Sequence, residues 1–165
     1  MPPRPVEAMS DAQIAAEIDN HRRHKLAGRP YGPANADRFC QLLKAQAARA
    51  GLDPDKTVSA IAEAACEGRF LSYKDLADAS GAEWSRVYLN IGRHLWTVVE
   101  WAHAREMPML SAIVVNRENL ATGTMKPATL TGFVKAAEEL GHVVHDPEAF
   151  LREQQKEVFA HFKRS

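Results

Sequence analysis

Cysteine is scarce in this chain, with two residues among 165, Cys40 and Cys66. Both fall within helical patterns among apolar neighbours, so they are expected as small, reduced, buried hydrophobes. A disulfide framework or a cysteine-based metal site is not expected. Net charge is lacking too: 21 Lys plus Arg stand against 21 Asp plus Glu. That balance removes the general cationic field that tight non-specific nucleic-acid binding uses, so any such role must rest on a local stripe. No apolar run approaches the roughly 20 residues that cross a bilayer. The first residues, Met1-Pro2-Pro3-Arg4-Pro5-Val6-Glu7, lack the apolar stretch of a secretory signal. A cytoplasmic protein without membrane association is the expectation. There is no internal repeat and no low-complexity segment, and the length suits one ordinary domain or a small domain with an extension.

What is present centres on Leu71 to Ala102. From Trp84 the apolar residues fall at Trp84, Val87, Tyr88, Ile91, Leu95, Val98, Val99 and Ala102, the spacing of one helical face over about five turns. Arg86, Asn90, Arg93, Thr97 and Glu100 form the opposite, polar face. Gly92 is a place for a kink, because glycine is a poor interior helix residue. Upstream, Ser72 reads as an N-cap with Asp75 at the third helical position, and Leu71 is placed to staple onto Leu76. The short helix from Tyr73 is expected to end at Ser80-Gly81. Short helix, tight turn and longer helix make a helix-turn-helix pattern. Beyond Pro108, the β-branched run in Met109 to Asn116 reads as a strand. Leu120 to Met125 reads as a weaker returning strand across the Asn116–Asn119 turn. Together they predict a two-stranded wing.

The flanks are helical. Residues 1–9 read as a proline-rich arm, and Ser10 to Gln13 as a capping box with Met9 stapling onto Ile14. The helix that follows runs to about Leu26. Ala27 to Asn35 breaks it, and a further helix covers about Ala36 to Ala50. Asp53-Pro54 opens a helix to Glu67. Thr131 to Leu140 is another, and Asp146-Pro147 starts the last. The expected fold class is therefore mainly α. A helical N-terminal extension takes residues 1–52, a winged helix-turn-helix residues 53–127, and C-terminal helices packing on it residues 128–165.

Tyr73-Lys74-Asp75-Leu76-Ala77, then Ser85-Arg86, Ile91-Gly92-Arg93 and Pro108-Met109-Leu110-Ser111-Ala112-Ile113-Val114-Val115 follow one another in a suggestive order. To about Gly123, that order resembles the DNA-binding domain of alkylguanine-DNA alkyltransferases and the alkyltransferase-like proteins. The resemblance covers about a third of the chain. It implies a winged helix that places Arg86 at the minor groove beside a flipped base. Met109 and Leu110 stand where the alkyltransferases carry their alkyl-accepting cysteine and its histidine. Alkyl transfer, which needs an activated thiolate, is therefore not implied. The spacing from Arg86 to Ile91-Gly92 is also longer than in that family. With Gly132-Phe133 and Val158-Phe159-Ala160, the chain further resembles a group of uncharacterised bacterial and phage proteins, which implies a fold unit and no mechanism.

Lys74, Arg86, Asn90, Arg93, Arg117 and Lys126 are the candidate DNA-binding residues. Arginine reads guanine edges or phosphates bidentately, and asparagine pairs with adenine. The same residues also fit ordinary solvated helix charges, balanced by Asp75, Asp78 and Glu83. His21 with His24, and His142 with His145, are spaced by three, but neither pair has the cysteine or carboxylate that completes a metal set. His94, Glu100, His103 and Glu106 form the densest titratable cluster, with His94 and Glu100 on different helix faces, so no catalytic residue is assigned. Trp84, Trp96 and Trp101 read as core or interface anchors. The expected function is non-enzymatic binding of double-stranded DNA, as a regulator, lesion sensor or defence-related factor, without metal or cofactor. A protein–protein adaptor or inhibitor on the same scaffold is the alternative, with a nuclease or other hydrolase behind it. A homodimer is compatible with both binding readings.

Overall fold

The computed structural model describes residues 2–26 and 32–163, and these form eight α-helices joined by turns. In order they are α1 (Asp11–Leu26), α2 (Gly32–Arg49), α3 (Pro54–Cys66), α4 (Tyr73–Ala79), α5 (Trp84–Val87), α6 (Ile91–Ala104), α7 (Pro127–Glu139) and α8 (Pro147–Lys163). Local capping chemistry sets several of their starts. Ser10 Oγ accepts from Gln13 N at 3.2 Å and Gln13 Oε1 accepts from Ser10 N at 2.9 Å. Asp53 accepts from Asp55 N at 2.9 Å ahead of Pro54. Ser72 and Asp75 close a reciprocal box at 3.3 and 2.8 Å. Each satisfies backbone donors that the first helical turn leaves without a partner.

Helix α6 is the axis of the molecule. It packs against α2, α3 and α4 and against a buried 3-10 turn, Leu110–Ile113. Ile91, Leu95, Val98, Val99 and Ala102 are buried, as their spacing predicts, but so are His94, Thr97, Glu100 and Trp101. The C-terminal part of the polar face, Thr97 and Glu100, therefore goes inside as well. It does so with partners: Arg22 on α1 grips Glu100 through Nε at 2.9 Å and Nη2 at 2.6 Å, and Thr57 on α3 meets His94 Nε2 at 2.7 Å. A buried charge is tolerated when paired and hydrogen-bonded in this way.

The two-stranded wing is overturned. Among the described residues there is no strand, only one isolated parallel bridge between Leu71 and Val114. Met109 to Val115 is β-branched and buried, but it winds through the 3-10 turn, and side chains of α8 take its backbone groups. Gln154 Oε1 accepts from Met109 N at 3.2 Å, while Gln155 Nε2 donates to Ala112 O at 3.0 Å and to Gly123 O at 2.8 Å. Leu71 N donates to Ile113 O and Val115 N to Leu71 O. With those partners in place the segment needs no second strand. Residues 120–125 form a turn instead, with Thr122 N and Gly123 N both donating to Asn119 O. Gly123 sits at φ +74°, and a Cβ there would lie 2.2 Å from the Phe70 ring, so the turn requires glycine.

Three further differences are local. The long helix expected from Trp84 is broken: α5 ends after one turn, and Tyr88, Leu89 and Asn90 are exposed before α6 begins. Only Val87 of α5 reaches the core, so no apolar contact holds a continuous helix there. Helix α2 begins at Gly32, ahead of the expected Ala36, so residues 32–35 of the expected Ala27 to Asn35 break are helical, and its residues 27–31 lie outside the described residues. Helix α7 begins at Pro127, with proline in the first helical turn, rather than at Thr131. Cys40 is buried as expected, with Sγ 3.8 Å from Trp101 O, whereas Cys66 is exposed. No helix among the described residues is long and apolar enough to cross a membrane.

Candidate functional site

The α4–α5–α6 edge carries most of the polar residues that the sequence singles out. The α4 box orients Lys74 outward, and the Gly81 turn at φ +70° leads into α5 and Arg86. Lys74, Arg86, Asn90 and Arg93 are all exposed, as are Arg117 and Lys126 in the 116–126 loop. Three of the cations face carboxylates: Lys74 with Asp78 at 3.4 Å, Arg86 with Glu83 at 3.3 Å, and Lys126 with Glu118 at 3.3 Å. Such exposed pairs are weak, but they lower the local field that a polyanion would feel. Without a wing, Arg117 and Lys126 lack the strand ladder that was to carry them beside a groove.

The same edge also carries apolar surface that helical periodicity placed in the core. Leu89 is 80 % exposed, Tyr88 50 % and Trp84 36 %, with the Trp84 and Tyr88 rings tilted at 6.2 Å. Trp96 is half-buried and Leu89 projects from the turn.

The titratable cluster does not converge. His94 and Glu100 point to different neighbours. Burial holds His94 down to about 4, offset in part by nearby Asp53. Thr57 Oγ1 and His94 Nε2 have the spacing of a nucleophile and its base. Both are buried, however, and neither lines either of two cavities on the molecule. His103 faces the larger cavity, a cleft of about 1580 Å³ that it shares with Lys25, Arg105, Glu106, His142 and Glu157. Burial, helped by the Lys25 cation, pushes His103 below the ordinary histidine range. Among the described residues no group of three or more His, Cys, Asp or Glu is placed to hold a metal ion.

The smaller cavity, about 470 Å³, lies between α6 and α7, with Ser111 of the 3-10 turn in its wall. Tyr73, Trp96 and Phe133 contribute aromatic surface, and Gly92 and Gly132 contribute bare backbone. Tyr73, Gly92, Gly132 and Phe133 belong to the motifs quoted from the sequence, but none of those motifs points to a cavity. The available sign was Gly132, a glycine inside an otherwise regular helix, where it costs about 1 kcal/mol against alanine.

Comparison with protein-family models, with curated proteins and with solved structures finds no significant match, so the alkyltransferase-like resemblance rests on its own short motifs.

Proposed function

We propose that this chain is a non-enzymatic binding protein that engages a partner protein through its α4–α6 edge. The observation that carries this reading is the exposure of Trp84, Tyr88 and Leu89 within six residues, beside Arg86. Tryptophan, tyrosine and arginine are the residues enriched at interface hot spots, and grouped exposed apolar side chains gain most from being covered. Arg86 and Arg93 at the rim suit a partner whose apolar pocket is edged by carboxylates. The absence of net charge fits this better than it fits a polyanion.

Duplex DNA is the second reading, in the regulatory, lesion-sensing or defence roles that the sequence raised. It is favoured by Arg93 and Arg117, exposed cations with no ion pair among the described residues. One pair of assays separates the two. Fluorescence anisotropy on short intact and mismatched duplexes is expected to show no binding tighter than roughly 100 μM at low salt. Affinity capture followed by sedimentation of the purified complex is expected to show a partner retained by the wild type and lost by Leu89→Asp and Tyr88→Ala. Tight duplex binding abolished by Arg86→Ala or Arg93→Ala moves the assignment to DNA.

A further inference from the structure

Ser111 is 7 % exposed, and its Oγ has no hydrogen-bond partner. Buried hydroxyls almost always find one, so an orphan needs a cause. Ser111 is also part of the wall of the α6–α7 cavity. That wall contains two glycines at which a Cβ would meet no protein atom within 4 Å, Gly92 and Gly132. Neither has a positive φ, so no backbone conformation demands glycine at either place. Both glycines are exposed, so they border the mouth of the cavity and leave it open to solvent. At about 470 Å³ the cavity falls within the range of small-molecule sites, and its mixture of aromatic wall and sparse polar groups is typical of them.

We propose that this cavity is a binding site for a small, neutral aromatic or cyclic molecule carrying one hydroxyl or carbonyl group, which the Ser111 hydroxyl meets. A serine hydroxyl both donates and accepts, so either group completes it. The ligand is neutral because the charged residues of the lining, Lys135 and Glu139, are exposed and of opposite sign. An ionised group would have to enter an apolar interior with no counter-charge. Ring systems fit the walls because Trp96, Phe133 and Tyr73 offer faces and edges for stacking. This site does not depend on the partner-binding edge.

Phenol and toluene are the probes, titrated into the full chain and followed by amide and indole proton–nitrogen correlation spectra. Phenol is expected to produce saturable shifts at Gly92, Gly132 and the Trp96 indole, with a Kd on the order of 1 mM for so small a ligand. Gly132→Leu, which fills the cavity from an exposed helix position, is expected to remove those shifts. Gly132→Ala serves as the folding control and is expected to raise Tm. Ser111→Ala is expected to weaken phenol about fivefold while leaving toluene unchanged. The proposal is overturned by the absence of saturable shifts, by binding that survives Gly132→Leu, or by equal effects of Ser111→Ala on both probes.

Discussion

The two ends of the Trp84–Ala104 stretch treat their side chains in opposite ways. Toward its C-terminal end, α6 takes in His94, Thr97 and Glu100 together with the aliphatic stripe, because α1 and α3 bring Arg22 and Thr57 to meet them. At the N-terminal end, Trp84, Tyr88 and Leu89 stay in contact with water although the other end buries the more polar His94, Thr97 and Glu100. Burial here follows the supply of neighbours more than the polarity of the side chain. The end that is surrounded by helices pairs the Glu100 carboxylate and His94 Nε2, leaving only His94 Nδ1 without a partner; the end that projects leaves its apolar groups uncovered. A stable fold rests on the first end, and binding on the second.

The sharpest way to break that contrast is to remove a partner from the surrounded end. Arg22→Met strands the buried Glu100 carboxylate and is expected to cost about 3–5 kcal/mol in urea unfolding. The double variant Arg22→Met/Glu100→Leu should recover most of that loss. A loss under about 1 kcal/mol for the single variant means that Glu100 reaches water on its own.

Acid tests the same end. His94 is held to about 4, and an unfolded histidine titrates near 6.5. Between those values the unfolded chain binds a proton that the folded chain refuses. His94 therefore makes stability fall as pH drops from about 6.5 toward 4, by about 3 kcal/mol in all, and adds nothing further below that. Burial lowers His21 and His103 as well, which adds losses of the same sign. The measurement is the pH dependence of wild type minus that of His94→Gln, and a flat difference over that window refutes the assignment.

Gly123→Ala probes a crowded turn away from the helix axis. It pushes a methyl against Phe70, which Phe159 holds edge-on at 5.5 Å, and it adds a left-handed φ. The expected cost is about 1–3 kcal/mol, partly relieved by Phe70→Leu. The smallest effect belongs to the projecting end. Leu89→Asp should change stability by no more than about 0.5 kcal/mol, because an 80 % exposed side chain has little packing to lose. A thermal melt shifted well beyond that places Leu89 in a structural contact and withdraws the proposed interface.

Helix starts were legible in the sequence because caps are local. Ser10 with Gln13, Asp53 with Pro54, and Ser72 with Asp75 each lie within three residues, and each forms the bonds that the residue types specify. The aliphatic stripe of α6 was legible for the same reason, since periodicity is a short-range signal. The wing was not. Ile113, Val114 and Val115 have β-forming side chains, and their backbone is held by Leu71, some forty residues back, while two glutamines some forty residues further on hold the flanking Met109 and Ala112. The break after α5 was equally hidden, because an apolar face with no neighbour looks, in sequence, like one that has found its core. Of the expected polar face, Arg86, Asn90 and Arg93 are exposed, whereas Thr97 and Glu100 are buried against neighbouring helices that helix position alone does not reveal. Glu83 was recognised as a local neutraliser of Arg86, but the pairing of Lys126 with Glu118 depends on a turn that was read as strands. The cavity left no trace beyond one mid-helix glycine.

The grip of Gln154 and Gln155 on the 109–123 segment also sets an order of events during synthesis. The ribosome releases Met109, Ala112 and Gly123 well before the two glutamines that hold them. For that interval Met109 N, Ala112 O and Gly123 O, which flank the β-branched residues, stand without those partners, a condition under which nascent chains stick to one another or recruit chaperones. Helix α8 thus closes the molecule, and a nascent chain stalled before residue 154 should be markedly more prone to aggregate than one stalled after residue 163.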